Sequence, residues 1–180
     1  LAAYDAAQAG RVADARQLFD GIIASGQLSP DRQAVMYQAR GVLSVIMGEP
    51  ALALADFNAA LAIDPDFTDA MFNRGVANRD LGRYDEAVAD FRAALALEPT
   101  AVDALEMLAD MLVASGRASE AVEVYDRAIA LVPDDGNLLV GRAQTRLAAQ
   151  DFTGAIVDYN SAIAVLGEHA ALYVQRGEVR

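Results

Sequence analysis

Ala53, Ala87, Ala121 and Ala155 stand 34 residues apart, and four residues beyond each comes an aromatic: Phe57, Phe91, Tyr125 and Tyr159. Pro65, Pro99 and Pro133 keep the same phase. A fixed period of this length argues against one folded-over core. It predicts a stack of like supersecondary pieces, each burying its apolar face on its neighbours. A stack of that kind usually serves as a surface that holds another protein.

Residues 68–101 give the reference unit. Met71, Arg74, Gly75 and Asn78 lie at helical spacing, and Leu81-Gly82-Arg83 interrupts them with a glycine turn. Asp85 and Glu86 then place negative charge where a second helix begins, which the helix dipole favours. Ala87, Phe91, Ala94 and Leu95 form one apolar stripe, and Pro99 ends the helix. The unit is therefore helix A, turn, helix B. The whole chain, 1–180, reads as one domain of such units: a partial unit 1–33, full units 34–67, 68–101, 102–135 and 136–169, and a partial unit 170–180. Extra residues between the first two units include Ser29-Pro30-Asp31, which predicts an N-cap, a first-turn proline and a long helix A starting near Pro30.

Arg40, Arg74, Arg142 and Arg176 share one repeat position, which invites comparison with a phosphate or carboxylate clamp. Helix B supplies another explanation. Asp56, Asp90 and Asp158 follow their arginines by sixteen residues. The unit with Leu108 has Val124 there, and the first unit has Ala2 and Leu18. Charge accompanies charge and apolar accompanies apolar. This predicts ion pairs Arg40–Asp56, Arg74–Asp90 and Arg142–Asp158 joining helix A to helix B, a setting suited to the arginine fork.

The pattern resembles the tetratricopeptide repeat family, whose motif runs W-x2-L-G-x2-Y, then A-x3-F, then P. The units here read Tyr37-x2-Arg40-Gly41, Ala53-x3-Phe57, Pro65; Met71-x2-Arg74-Gly75, Ala87-x3-Phe91, Pro99; Leu105-x2-Leu108-Ala109, Ala121-x3-Tyr125, Pro133; and Leu139-x2-Arg142-Ala143, Ala155-x3-Tyr159. The resemblance implies an all-α, right-handed superhelical α-solenoid of antiparallel helix pairs, with a concave groove lined by helix A. The groove positions it implies include Gln38, Val42, Phe72, Asn73, Val76, Arg79, Asp103, Glu106, Asp110 and Gln144. Their character is apolar towards the N-terminus and acidic in the middle, where Asp103, Glu106 and Asp110 share a helix face. That predicts a peptide with apolar anchors and a basic centre; the alternative is a plain solvated helix face. The family's carboxylate clamp for chaperone tails needs Lys, Asn and Arg, whereas the corresponding places hold Gln38, Val42, Asn73, Asp103 and Met107. Capture of such a tail is not expected.

Composition narrows the field further. The net charge is −12, which argues against nucleic acid and anionic lipid as partners. No apolar run of about 18 residues exists to span a membrane. Residues 1–10 carry Asp5 and no basic start, unlike a secretion signal. Cysteine is absent, so thiolate metal sites and disulfides are excluded. Every basic residue is Arg, a bias in keeping with a GC-rich bacterial genome. His169, the one histidine, falls in an expected inter-unit turn and assembles no catalytic set. Asp64-Pro65-Asp66 and Asp134-Asp135 lack calcium-loop spacing and read as turn and cap carboxylates. No cofactor or metal is expected. The chain thus reads as a non-catalytic scaffold or adaptor, in either cytoplasm or periplasm. Two alternatives stay open: the substrate-docking arm of a larger enzyme, since the chain opens without Met and stops inside an expected helix, or a structural element that self-assembles as a homodimer through an uncapped end.

Overall fold

Alanine-rich stripes punctuated by glycine and proline dictate short helices that lie close together. The structure, a computed structural model, describes residues 2–167 and 177. Among them are ten helices: α1 Ala2–Gln8, α2 Val12–Ala24, α3 Pro30–Ile46, α4 Pro50–Ile63, α5 Thr68–Asp80, α6 Tyr84–Leu97, α7 Val102–Ala114, α8 Ala118–Leu131, α9 Gly136–Ala148 and α10 Phe152–Leu166. No strand occurs among the described residues. The chain divides into two compact units, Leu1–Leu97 and Glu98–Arg180. In the first, each helix from α1 to α6 packs on the next, and α3 also touches α5. In the second, α7 to α10 pack in the same serial way, and α7 touches α9.

Each pair closes around the repeated alanine and aromatic. Ala53, Phe57 and Ala60 of α4 are fully buried, as are Ala87 and Phe91 of α6. Glycine on the facing helix makes room for the ring. A Cβ at Gly41 would stand 2.6 Å from the Phe57 ring, and one at Gly75 would stand 2.9 Å from that of Phe91. In the second unit Ala109 and Ala143, both fully buried, take that place.

The A-to-B turns need a left-handed residue. Gly10, Gly48, Gly82 and Gly116 supply it at φ of 73°, 74°, 71° and 79°. The turn between α9 and α10 uses Gln150 instead, at φ 63°. Helix α3 starts at Pro30 as the sequence predicts, with Ser29 extended before it. The expected side-chain cap is corrected: Ser29 makes no capping hydrogen bond. Pro30 has no N–H to satisfy, the first turn is exposed to water, and the Ser29 carbonyl accepts from the Gln33 N–H at 2.9 Å.

Candidate binding surface

The in-register arginines do the work of a seam. Arg40 places Nε 2.9 Å and Nη2 2.5 Å from the two carboxylate oxygens of Asp56. Arg74 donates through Nε and Nη2 to Asp90 Oδ1, and Arg142 grips both oxygens of Asp158. Because the partners stand sixteen residues apart with the turn between them, the contact also fixes α3 and α4, α5 and α6, and α9 and α10 as antiparallel pairs. All three aspartates are buried.

The remaining guanidinium nitrogen reaches a third helix, which the sequence reading missed. Arg40 Nη1 donates to Asp20 of α2, Arg74 Nη1 to Asn58 of α4, and Arg142 Nη1 to Asp126 of α8. Each arginine therefore ties its own pair to the preceding helix B. The bonds to Asp56 and Asp20 hold Arg40 above its ordinary value against the opposing effect of burial, and those to Asp158 and Asp126 do the same for Arg142. The second oxygen of Asp90 accepts from Asn78, and that of Asp158 from Arg146. In the exceptional unit Leu108, Leu112 and Val124 are all buried, so the whole network is replaced by hydrocarbon. With their carboxylate partners in place, these arginines are structural and offer no clamp.

The helix A faces remain. In the first unit Gln38 and Val42 line an apolar cleft of about 340 Å³ with Tyr4, Phe19, Leu43 and Ile46. Ile46 is 64% exposed, an unusual state for its type. The sequence reading found the α3 wall of this cleft but not Tyr4 or Phe19, because α1 belongs to a partial unit. On α5, Phe72 turns its ring against Phe91, centroids 5.4 Å apart, and is half-buried. Asn73 donates back to the Asp69 carbonyl at 2.7 Å. Arg79 pairs with Asp80, and Val76 is half-buried. These side chains are occupied locally, which leaves α5 less available than α3.

In the second unit Asp103 and Asp110 are exposed and Glu106 between them is half-buried. Burial raises the Glu106 carboxyl, and Asp110, Asp135 and Asp103 raise it further in that order. Asp135 caps α9 by accepting from the N–H groups of Asn137 and Leu138. Gln144 of α9 is exposed. Tyr125, buried on α8, donates its hydroxyl to Asp110 Oδ1 at 2.8 Å. Among the described residues no three His, Asp or Glu side chains form a metal site. Nor is any helix there long and apolar enough to cross a membrane. Asp64 and Asp135 behave as turn and cap carboxylates, Asp64 accepting from the Asp66 N–H. His169 and Arg176 lie outside the described residues.

A family model described as the tetratricopeptide repeat matches residues 47–102, 77–136 and 106–171. No curated protein matches the chain. Among solved structures, MamA superposes with a TM-score of 0.83 at 17% identity, covering 90% of this chain and 92% of MamA. YrrB, described as a TPR protein with an unusual peptide-binding site, gives 0.76 at 22% identity over 89% of this chain and 81% of its own. The C-terminal part of a TPR repeat-containing protein from Cytophaga hutchinsonii gives 0.85 at 16% identity, over 98% and 68%. At these identities the likeness is one of fold.

Proposed function

The chain belongs to the tetratricopeptide repeat family, and from that premise we propose that it is a non-catalytic interaction module for protein segments, with a separate binding surface in each compact unit. The apolar cleft beside Gln38, Val42 and Ile46 of the first unit takes hydrophobic anchors. The acidic face of α7 in the second unit, taken by itself, receives a basic segment. The likeness to YrrB, whose description includes a peptide-binding site, supports a peptide as the occupant.

One observation carries the acidic part of this reading. Glu106 is half-buried with Asp103, Asp110 and Asp135 as its electrostatic neighbours, and all of them disfavour its ionised form. Folding alone gains nothing from that crowding, whereas a bound cation relieves it. A labelled tetra-arginine peptide should bind the protein in a salt-dependent way, followed by fluorescence anisotropy. The triple change Asp103→Ala, Glu106→Ala, Asp110→Ala should weaken binding and flatten its salt dependence. Unchanged affinity in the triple variant, or no binding by the parent protein, rules the reading out.

A further inference from the structure

The three arginine seams differ at their third partner. Arg40 and Arg142 each reach beyond their buried aspartate to a carboxylate of the preceding helix B, Asp20 and Asp126. Arg74 meets an amide there, Asn58 Oδ1 at 2.9 Å. Its guanidinium therefore faces one carboxylate where its counterparts face two. It uses one N–H on each of its three nitrogens in the seam, so two of a guanidinium's five remain. Arg74 is also the least covered of the three: its side chain is 29% exposed, against 23% for Arg40 and 16% for Arg142.

A cleft of about 310 Å³ opens at this point, inside the first compact unit. Arg83 and Glu86 line it beside Arg74 and Asn58. Among the described residues neither Arg83 nor Glu86 has an ion pair, and the Asn58 side chain makes no bond besides the one it accepts from Arg74. The fold does not demand this. In the preceding unit Glu49 stands at the place of Arg83 and is paired with Arg16, and Leu52 stands at that of Glu86. Leu54 and Ala89 add an apolar part to the lining, and the volume is that of a small-molecule site.

We propose that this cleft binds a small aliphatic amino acid as its zwitterion. The ligand carboxylate takes the place that Asp20 and Asp126 fill in the other seams. It accepts from Asn58 Nδ2 and from the guanidinium groups of Arg74 and Arg83, a charge-assisted set. Glu86 receives the ammonium, and Leu54 and Ala89 meet the side chain. Charge complementarity selects a zwitterion over a simple anion, because the lining sets Arg74 and Arg83 against Asp90 and Glu86 and carries no net charge. The cleft shares no lining residue with the apolar one beside Gln38, so the two sites stand or fall separately.

The test is a titration of the full chain with L-valine and with acetate, followed by 15N NMR at the Arg74 Nε–H and the Asn58 side-chain amide. L-Valine should shift these signals saturably. Acetate, which has no ammonium for Glu86, should bind roughly threefold more weakly. Asn58→Asp builds the carboxylate of the other seams into this one. It should keep the fold and weaken L-valine binding by about tenfold or more, read at Arg74. Arg83→Ala, at an exposed residue, should weaken both ligands. Glu86→Gln should weaken L-valine and strengthen acetate until the two bind alike. The proposal is overturned by the lack of a saturable shift in the parent protein, by parent-like binding in Asn58→Asp or Arg83→Ala, or by acetate binding the parent as tightly as L-valine does.

Discussion

Asp90 shows what a single side chain holds together. It is 4% exposed and accepts from Arg74 twice and from Asn78 once. Asp90→Ala strands an arginine whose side chain is only 29% exposed, leaving its guanidinium only Asn58. The expected loss is about 3 kcal/mol, towards the lower end for a broken pair because Arg74 keeps some contact with water. The chain contains its own remedy in Leu108, Leu112 and Val124. Arg74→Leu with Asp90→Val should recover part of the loss, and adding Asn78→Leu should recover most of it. Urea unfolding measures all three, and a triple variant no better than Asp90→Ala would refute the seam. Protonation is a second handle at this scale. Burial, then the Asp110 charge and hydrogen bond, raise Tyr125 above its ordinary value of 10.0. A raised folded value means that this contribution is complete below pH 10 and is lost as pH rises further. Tyr125→Phe should therefore flatten the alkaline fall in Tm. Glu106 is raised as well, so its ionised form at neutral pH opposes folding and the penalty fades on acidification. Glu106→Gln should raise Tm by about 1–2 °C at pH 7 and by nothing near pH 4.

The helix pair is the element that the chain repeats, and the turn at Gln150 is the one that places a side chain at positive φ. Four equivalent turns use glycine at positive φ, and this one forces a side chain into the same region. Gln150→Gly should stabilise the protein by about 0.5–1 kcal/mol, since the strain removed exceeds the extra freedom that glycine gives the unfolded chain. The check is a higher urea midpoint with an unchanged slope; a lower midpoint would mean that Gln150 makes a contact worth more than its strain. The same turn shows where sequence stops being legible. Gly48, Gly82 and Gly116 announce their turns by residue type, whereas glutamine hides one, and only the phase of Ala155 and Tyr159 places it. The arginine–aspartate pairs were readable because both members change together at constant spacing. Their third partners were not, because Asp20, Asn58 and Asp126 differ in type and the extra residues before Pro30 shift the first out of step. The family resemblance assigned Phe72 and Asp110 to the groove face, but not that one ring folds back onto Phe91 or that a tyrosine reaches the other from behind. Periodicity encodes which face a residue occupies; the contacts its tip makes depend on neighbours that periodicity does not order.

At the scale of the whole molecule the governing quantity is a net charge of −12. Two kinds of electrostatics compete within it, and their ranges differ. The arginine–aspartate contacts act at 3.0 Å or less between groups of which the aspartates are nearly dry, so dissolved ions barely reach them. Repulsion among the exposed carboxylates acts over longer distances. At about 0.01 M salt the screening length is about 30 Å, several helix spacings, and at about 0.15 M it is about 8 Å, less than one. Adding salt across that range should therefore quench the repulsion and spare the seam, raising Tm by a few degrees. The same addition should weaken a tetra-arginine complex, because the attraction between an acidic face and a basic peptide is screened as effectively as the repulsion within the face. Stability and binding thus move in opposite directions along one salt titration, read by thermal melts and by anisotropy on one sample. Glu106→Gln should shrink both slopes, since it removes the carboxylate at the centre of the crowded face. A Tm that falls with salt would mean that exposed ion pairs outweigh the net charge, and the acidic face would lose its standing as a surface waiting for a cation.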